Sequence, residues 1–368
     1  MRRRTPPPPS PLPQRDGVDP VRLRLPAEGP WATVRDHLVE RLSGAVPGAV
    51  AEMFDAGLVV GADGRPVAAD APYRPGMFVW FHRDLPPEVP VPFPLVVHYR
   101  DEHIVVADKP HFLATTPRGS HVTQTALARL RRELGVPTLS AAHRLDRLTA
   151  GLVLFTVRPE ERGAYQTLFR DRRIHKTYEA VAPYAPALAL PRTVRSRIVK
   201  ERGVLTAQET EGEPNAVSHI ELIDRRRWPT TAPAPAPAPS AEPEPEPGLA
   251  PSPGPATSPP PTPPSPPTAP TTELARYRLT PTTGQTHQLR VHMTALGVPI
   301  LGDPLYPEVT APVPADDFRR PLQLLARELA FTDPLTGREH RFRSARTLTA
   351  WASYPDWAAG GGARPAGQ

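Results

Sequence analysis

Asp146 stands between two arginines, Arg144 and Arg147, in a polar cluster that opens at His143 and leads into the apolar run Leu152-Val153-Leu154-Phe155. A short apolar run of this kind reads as a buried strand, and a strand holds the turn before it in a fixed position. A carboxylate on that turn has two uses. It can be a fixed acid at the mouth of a core, able to bond reversibly at an electron-poor carbon as a glycosidase nucleophile does. It can equally be a solvated partner of Arg144 or Arg147, and on spacing alone the ion pair is the commoner outcome.

A second information-rich stretch runs from Gly284 to Met293, followed by Gly302-Asp303-Pro304-Leu305-Tyr306 as a tight loop. If it is a strand running into a helix, it gathers Thr286, His287, Gln288 and Arg290 at one end of a sheet. His287 and His292 are five apart, which does not suit a zinc pair on one helical turn. The chain has no cysteine, so disulfides, thiolate metal ligands and a thiol nucleophile are excluded, and no metal site is expected. Lys176-Thr177-Tyr178 opens a further strand; a tyrosine there is more often core than catalytic.

The elements that must position these residues follow from periodicity. Residues 1–27 are rich in proline and arginine and read as a disordered tail. Thr33 can cap a helix through Val34, Leu38 and Leu42, and a second helix fits Val50, Met53 and Phe54, stopped by Gly57. Leu58–Val60 and Met77–Phe81 read as strands, with Asp63-Gly64 as a hairpin turn. Two helices and a small hairpin sheet over residues 28–85 resemble the alpha-L type RNA-binding module. From Glu28 to Asp84, however, there are five arginines, no lysine and eight carboxylates, and phosphate binding needs clustered cations. A proline-punctuated linker, 86–94, leads to the strand Ile104–Ala107. Thr123 opens a helix carrying Leu127, Leu130 and Leu134, closed by Gly135, with Arg129, Arg131 and Arg132 on its exposed face. Pro159 starts another, with Tyr165, Leu168 and Phe169 as its apolar stripe. The basic run Arg170–Lys176 joins those arginines as a phosphate-tracking surface. Residues 229–272 are built almost entirely of Pro, Ala, Ser, Thr and Glu and read as a disordered insertion within one domain.

The whole chain has 368 residues, 55 of them proline, and a net charge of +6, with a pI near 9.9. That length allows a full core and one large or two ordinary domains, and the basic balance favours a polyanionic partner. No apolar run approaches the ~18 residues of a membrane span, and the N-terminus lacks the apolar region of a secretory signal. A cytoplasmic protein that needs to be no more than a monomer is the expectation.

Four ordered motifs resemble the RluA-type family of RNA pseudouridine synthases. His143-Arg144-Leu145-Asp146 through Thr149 and Gly151-Leu152 looks like its signature. Asp108-Lys109-Pro110 resembles its Lys-Pro motif, Lys176-Thr177-Tyr178 its tyrosine strand, and Gly284–Met293 with Gly302–Tyr306 its C-terminal block. The likeness covers roughly residues 93 to 350, interrupted by the Pro-rich insertion. Ala150 stands where a serine is usual, Gln285 where an arginine is common, and His111-Phe112-Leu113 replaces a small-residue and glycine turn.

The resemblance implies an α+β fold with a mixed, largely antiparallel central sheet, flanking helices and a central cleft. The catalytic domain would span 95–356, with a disordered tail at 357–368. The implied activity is isomerisation of uridine to pseudouridine in structured RNA, ribosomal or transfer, with no cofactor. Asp146 becomes the catalytic nucleophile, with attack on ribose or on uracil left open. Arg290 becomes its charge partner, and Arg144 the side chain that fills the gap left by a flipped-out base. Tyr178 is placed against the uracil with a part in removing the carbon-5 proton, although a phenol is a poor base unless perturbed. Two other readings remain: a non-catalytic RNA-binding protein on the same fold, which needs none of this set, and a hydrolase, which needs a second carboxylate, with Asp303 the only nearby candidate.

Overall fold

The structure, a computed structural model, describes residues 8–42, 48–229, 271–311 and 314–361. Its first unit begins earlier than expected. Strand β1 (Val21–Arg24) lies within the span read as a tail and pairs antiparallel with β2 (Phe78–Phe81). Only residues 1–7 of that span fall outside the described ones. Between the strands lie α1 (Val34–Arg41) and α2 (Ala49–Asp55). Thr33 and Asp36 close a reciprocal capping box on α1, which satisfies two otherwise unpaired backbone donors. Leu25, Val34, Leu38, Phe54 and Val79 form the unit's own core. The strand expected at Leu58–Val60 reduces to single bridges from Val60 to Pro66 and Trp80. Pro66 has no N–H with which to extend a ladder.

The second unit is built on an eleven-stranded sheet. In chain order its parts are β3 (Val96–Arg100), β4 (Ile104–Lys109), α3 (Ala126–Leu134), β5 (Ser140–Ala141), β6 (Ala150–Thr156) and α4 (Arg162–Arg170). There follow β7 (His175–Pro183), β8 (Arg192–Val199), β9 (Gln208–Thr210), β10 (Ala216–Pro229), β11 (Thr271–Pro281) and α5 (Gln288–Ala295). The chain closes with β12 (Leu324–Thr332), β13 (Glu339–Arg343), α6 (Thr349–Ala352) and α7 (Tyr354–Ala358). The main order is β3-β4-β6-β12-β7-β11-β10-β8-β9, with β13 beside β12 and β5 beside β6. Only the β6–β12 pair is parallel, so the sheet is mixed and largely antiparallel.

One row across this sheet positions the centre. Ala326 of β12 pairs with Gly151 of β6 on one side and with Tyr178 of β7 on the other. Gly151 has φ 114, and a Cβ there would lie 2.3 Å from the Ala326 carbonyl oxygen. Only glycine permits that approach.

Several expected boundaries shift for identifiable reasons. Helix α3 is capped by Thr125 rather than Thr123, because the Thr123 hydroxyl and N–H are both taken by Glu88. Helix α4 starts at Arg162 rather than Pro159; residues before it are held as a turn by the Arg158–Glu161 and His103–Glu161 pairs. The stretch read as a linker is packed down, with Val91 8% exposed and its carbonyl bonded to Arg129. Trp357, in the span read as a tail, is buried and donates to the Pro321 carbonyl. Strands β10 and β11, which flank the Pro-rich insertion, pair as far as Trp228–Thr272 and Pro229–Thr271. Residues 230–270, to which the expectation of disorder refers, lie outside the described residues. Among the described residues no helix is long and apolar enough to cross a membrane.

Candidate active site

Asp146 sits on the turn that feeds β6, and its backbone neighbours are fastened from four sides. The buried Thr115 hydroxyl accepts from the Leu145 N–H at 3.1 Å and donates to the Leu145 carbonyl at 2.8 Å. Lys109 Nζ, wholly buried, donates to the carbonyls of Arg147 at 3.3 Å, Leu113 at 2.7 Å and Pro110 at 3.1 Å. Three acceptors use all three ammonium hydrogens, while burial pushes the Lys109 pKa down to about 7. His111 Nδ1 donates to the Leu148 carbonyl at 2.7 Å. His143 Nε2 accepts from the Leu154 N–H at 3.1 Å, its ring stacked on Phe169. Burial pushes the pKa of His111 down to about 4 and that of His143 down to about 3, so both rings are neutral. Phe112, where the motif departs from glycine, takes the left-handed conformation all the same, with φ 66. It packs between Phe93 and Phe318.

The carboxylate faces a cleft of about 1490 Å³ whose lining includes Arg144, Asp146, Tyr178 and Arg290. The four predicted site residues are therefore brought together. Among the described residues Asp146 has ion-pair contacts within 4.0 Å to Arg290, at 3.5 Å, and to His287, at 4.0 Å, but to neither Arg144 nor Arg147. The local ion-pair reading is overturned: Arg144 is exposed, and the carboxylate is met by Arg290 and His287 instead. The stretch read as a strand running into a helix contributes only the helix: β11 ends at Pro281, and Arg290 lies in α5, which starts at Gln288. It is 2% exposed. Its Nε and Nη2 donate to Asp303 at 2.7 and 2.6 Å, leaving Nη1 aimed at Asp146. Burial works against the Arg290 charge, but the bonds to Asp303 and the field of Asp146 outweigh it and raise its pKa. Asp303 is thus the anchor of Arg290, and its bidentate engagement removes it as a free second acid.

Tyr178 borders the same floor. Burial, and next the Asp146 charge, push its phenol well above the ordinary range. The remaining walls carry Arg144, Arg170, Arg172, Lys176, Lys200 and Arg202, a cationic rim suited to phosphates. Of the α3 arginines expected to extend it, Arg131 reaches the cleft lining, but neither it nor Arg129 is a free cation. Arg131 is buried and donates to the Leu139 and Gly17 carbonyls and to Asp19, and Arg129 holds the Phe93 and Val91 carbonyls. Sequence reasoning missed the fastening roles of Lys109, His111 and Thr115, and the proximity of His287. The Lys109-Pro110 and His287 motifs were visible, but their roles are three-dimensional.

The model of the RNA pseudouridylate synthase family matches residues 103–295, just over half the chain and all four of the residues that meet in the cleft. The dual-specificity RNA pseudouridine synthase RluA of Pasteurella multocida is 31% identical over 246 residues, covering 67% of this chain and 90% of that protein. Its namesake in Vibrio cholerae is also 31% identical, over 248 residues, covering 67% of this chain and 80% of that one. A solved human structure, RNA pseudouridylate synthase domain containing 1, aligns with 18% identity over 73% of this chain and 89% of that one, with a TM-score of 0.49. The family match and the extent of the bacterial relatives lead to one conclusion: the chain belongs to the RNA pseudouridylate synthases, as an RluA-type isomerase acting on RNA.

Proposed function

We propose that Asp146 is the nucleophile of this enzyme and that its substrate is uridine in ribosomal or transfer RNA. The observation that carries the reading is the Asp146–Arg290 contact at 3.5 Å on the floor of a cationic cleft. A carboxylate enclosed by substrate is desolvated and favours its neutral form; a fixed guanidinium beside it restores the ionised form that attacks. Asp303 makes that guanidinium rigid, so its charge is in place before substrate arrives.

Tyr178 borders the uracil, and exposed Arg144 enters the space the flipped base leaves, where its planar head can stack and donate at once. The cationic rim holds the flanking phosphates. Residues 95–356 act as the catalytic unit, with the unit formed around 28–85 influencing which RNA is engaged. The reading of more than one RNA class is supported by the bacterial relatives, which are named dual-specificity RNA pseudouridine synthases. The test is a map of pseudouridines across total RNA from cells with and without this gene. Discrete sites in ribosomal or transfer RNA should vanish on deletion and return with the intact gene. An unchanged map in both RNA classes contradicts the substrate assignment.

A further inference from the structure

His287 opens α5 in the left-handed region, with φ 57, and its ring reaches the cleft floor. Nδ1 lies 2.9 Å from the Tyr306 hydroxyl. That hydroxyl also accepts from the Ala207 N–H at 2.7 Å and donates to the Ala207 carbonyl at 3.0 Å. Ala207 is 1% exposed, and leaving a buried carbonyl unpaired costs about 1–3 kcal/mol. A phenol has one proton, so that proton belongs to the carbonyl, and the Tyr306 oxygen must accept from Nδ1–H. The tautomer is thereby set: Nε2 carries the lone pair. Nε2 is 4.0 Å from Asp146 Oδ2, too far for a hydrogen bond between them, and both atoms face the substrate space.

Once the ribose has been rejoined through carbon 5, that carbon still bears its hydrogen, and C6 is doubly bonded to N1. Completing pseudouridine breaks the C5–H bond. Its electron pair becomes the C5=C6 double bond, the C6=N1 pair withdraws to N1, and N1 takes a proton. Tyr178 is unsuited to accept the C5 proton, since its charged form sits beside the Asp146 carboxylate in a buried setting. We propose that His287 is a further catalytic residue: Nε2 takes the C5 proton, and the imidazolium so formed supplies the proton N1 needs. No co-reactant is required. The groups facing the ring are consistent with a neutral resting state and a charged intermediate. Burial, Arg290 and Lys200 disfavour the imidazolium, while Asp146 and Asp303 favour it. The proposal rests on Asp146 being the reaction centre.

The test pairs one variant with two substrates. In His287→Asn the amide nitrogen takes the place of Nδ1 toward Tyr306, and asparagine tolerates a positive φ, but nothing replaces Nε2. The substrates are one mapped stem-loop carrying either uridine or 5-fluorouridine at the target position. Fluorine leaves carbon 5 without a removable proton, so this RNA reports the steps only as far as C–C bond formation. The variant should form pseudouridine about 10²–10⁴-fold more slowly while consuming 5-fluorouridine within about threefold of the parent rate, which also shows that it folds. Equal slowing on both RNAs, or an unchanged rate on uridine, overturns the proposal. Asp146→Asn run alongside should consume neither RNA; if it does, the nucleophile assignment fails, an outcome separate from the ratio of the two His287→Asn rates.

Discussion

At the scale of single residues, the site depends on neutral side chains as much as on charged ones. His143 and His111 hold the ends of the Asp146 turn as uncharged rings, because burial depresses their pKa values to about 3 and about 4 from 6.5. In the unfolded chain both protonate near 6.5. Stability from these groups is therefore intact above that value and is lost as pH falls toward their folded values, by at most about 1.4 kcal/mol per pH unit for each. His143→Gln can keep an acceptor for the Leu154 N–H without titrating. Its unfolding free energy, followed by denaturant titration between pH 6.5 and 4, should fall less steeply than that of the parent. Identical slopes would show that His143 is not held neutral. Asp146 and Arg290 could be named from the resemblance to the family's motifs, since those motifs are contiguous words in the chain. The bonds of Asp303 to Arg290 and of Tyr306 to His287 could not, because they depend on how a tight loop folds back over α5.

At the scale of elements, periodicity identified what packing reinforces and missed what local hydrogen bonds redirect. The amphipathic helices α1, α3 and α4 were evident from their apolar spacing, as were the continuous buried strands β4 and β6. The start of α3 was not, because Glu88, remote in sequence, engages Thr123 and passes the cap to Thr125. Arg131 read as a surface cation because charge is usually solvated; its burial follows from a segment that docks on α3 from the N-terminal unit. The β10–β11 hairpin makes a clear prediction. Beyond a bulge between Leu222 and Asp224 its arms pair without interruption to Pro229–Thr271, so replacing residues 230–270 with a short turn leaves every described pairing intact. Shortening a loop changes closure entropy only slowly with length, about 0.6 kcal/mol per halving. Thermal unfolding and pseudouridine formation should both stay near parental values, whereas a cooperative loss of stability would show that the insertion packs against the core.

At the scale of the molecule, the N-terminal unit is fastened to the catalytic one rather than tethered beside it. Gly17 lies so close to α3 that a Cβ would meet the Ala128 carbonyl oxygen at 2.3 Å, and Asp19 and Asp16 pair with Arg131 and Arg132. Composition hid this contact, since proline-rich sequence signals lack of periodicity, not lack of partners. Removing residues 1–84, and so sparing the packed Glu88 and Val91, should leave turnover on a saturating minimal stem-loop within about threefold while freeing Arg131 and Arg132. Each freed cation that finds a phosphate steepens the salt dependence of RNA binding by about 0.9 in log–log slope on a duplex. Binding isotherms at several salt concentrations measure this, and lost turnover at saturation would place the N-terminal unit within the chemistry.

All three scales converge on one carboxylate, held by a pinned turn, faced by an anchored guanidinium and surrounded by cations. Single-turnover conversion of a target stem-loop by Asp146→Asn tests this most directly, with RNA binding measured in parallel. Pseudouridine formation should fall by at least about 10³-fold while affinity stays within about threefold, because the phosphate-binding rim is untouched. Turnover near the parental rate in that variant would contradict the account.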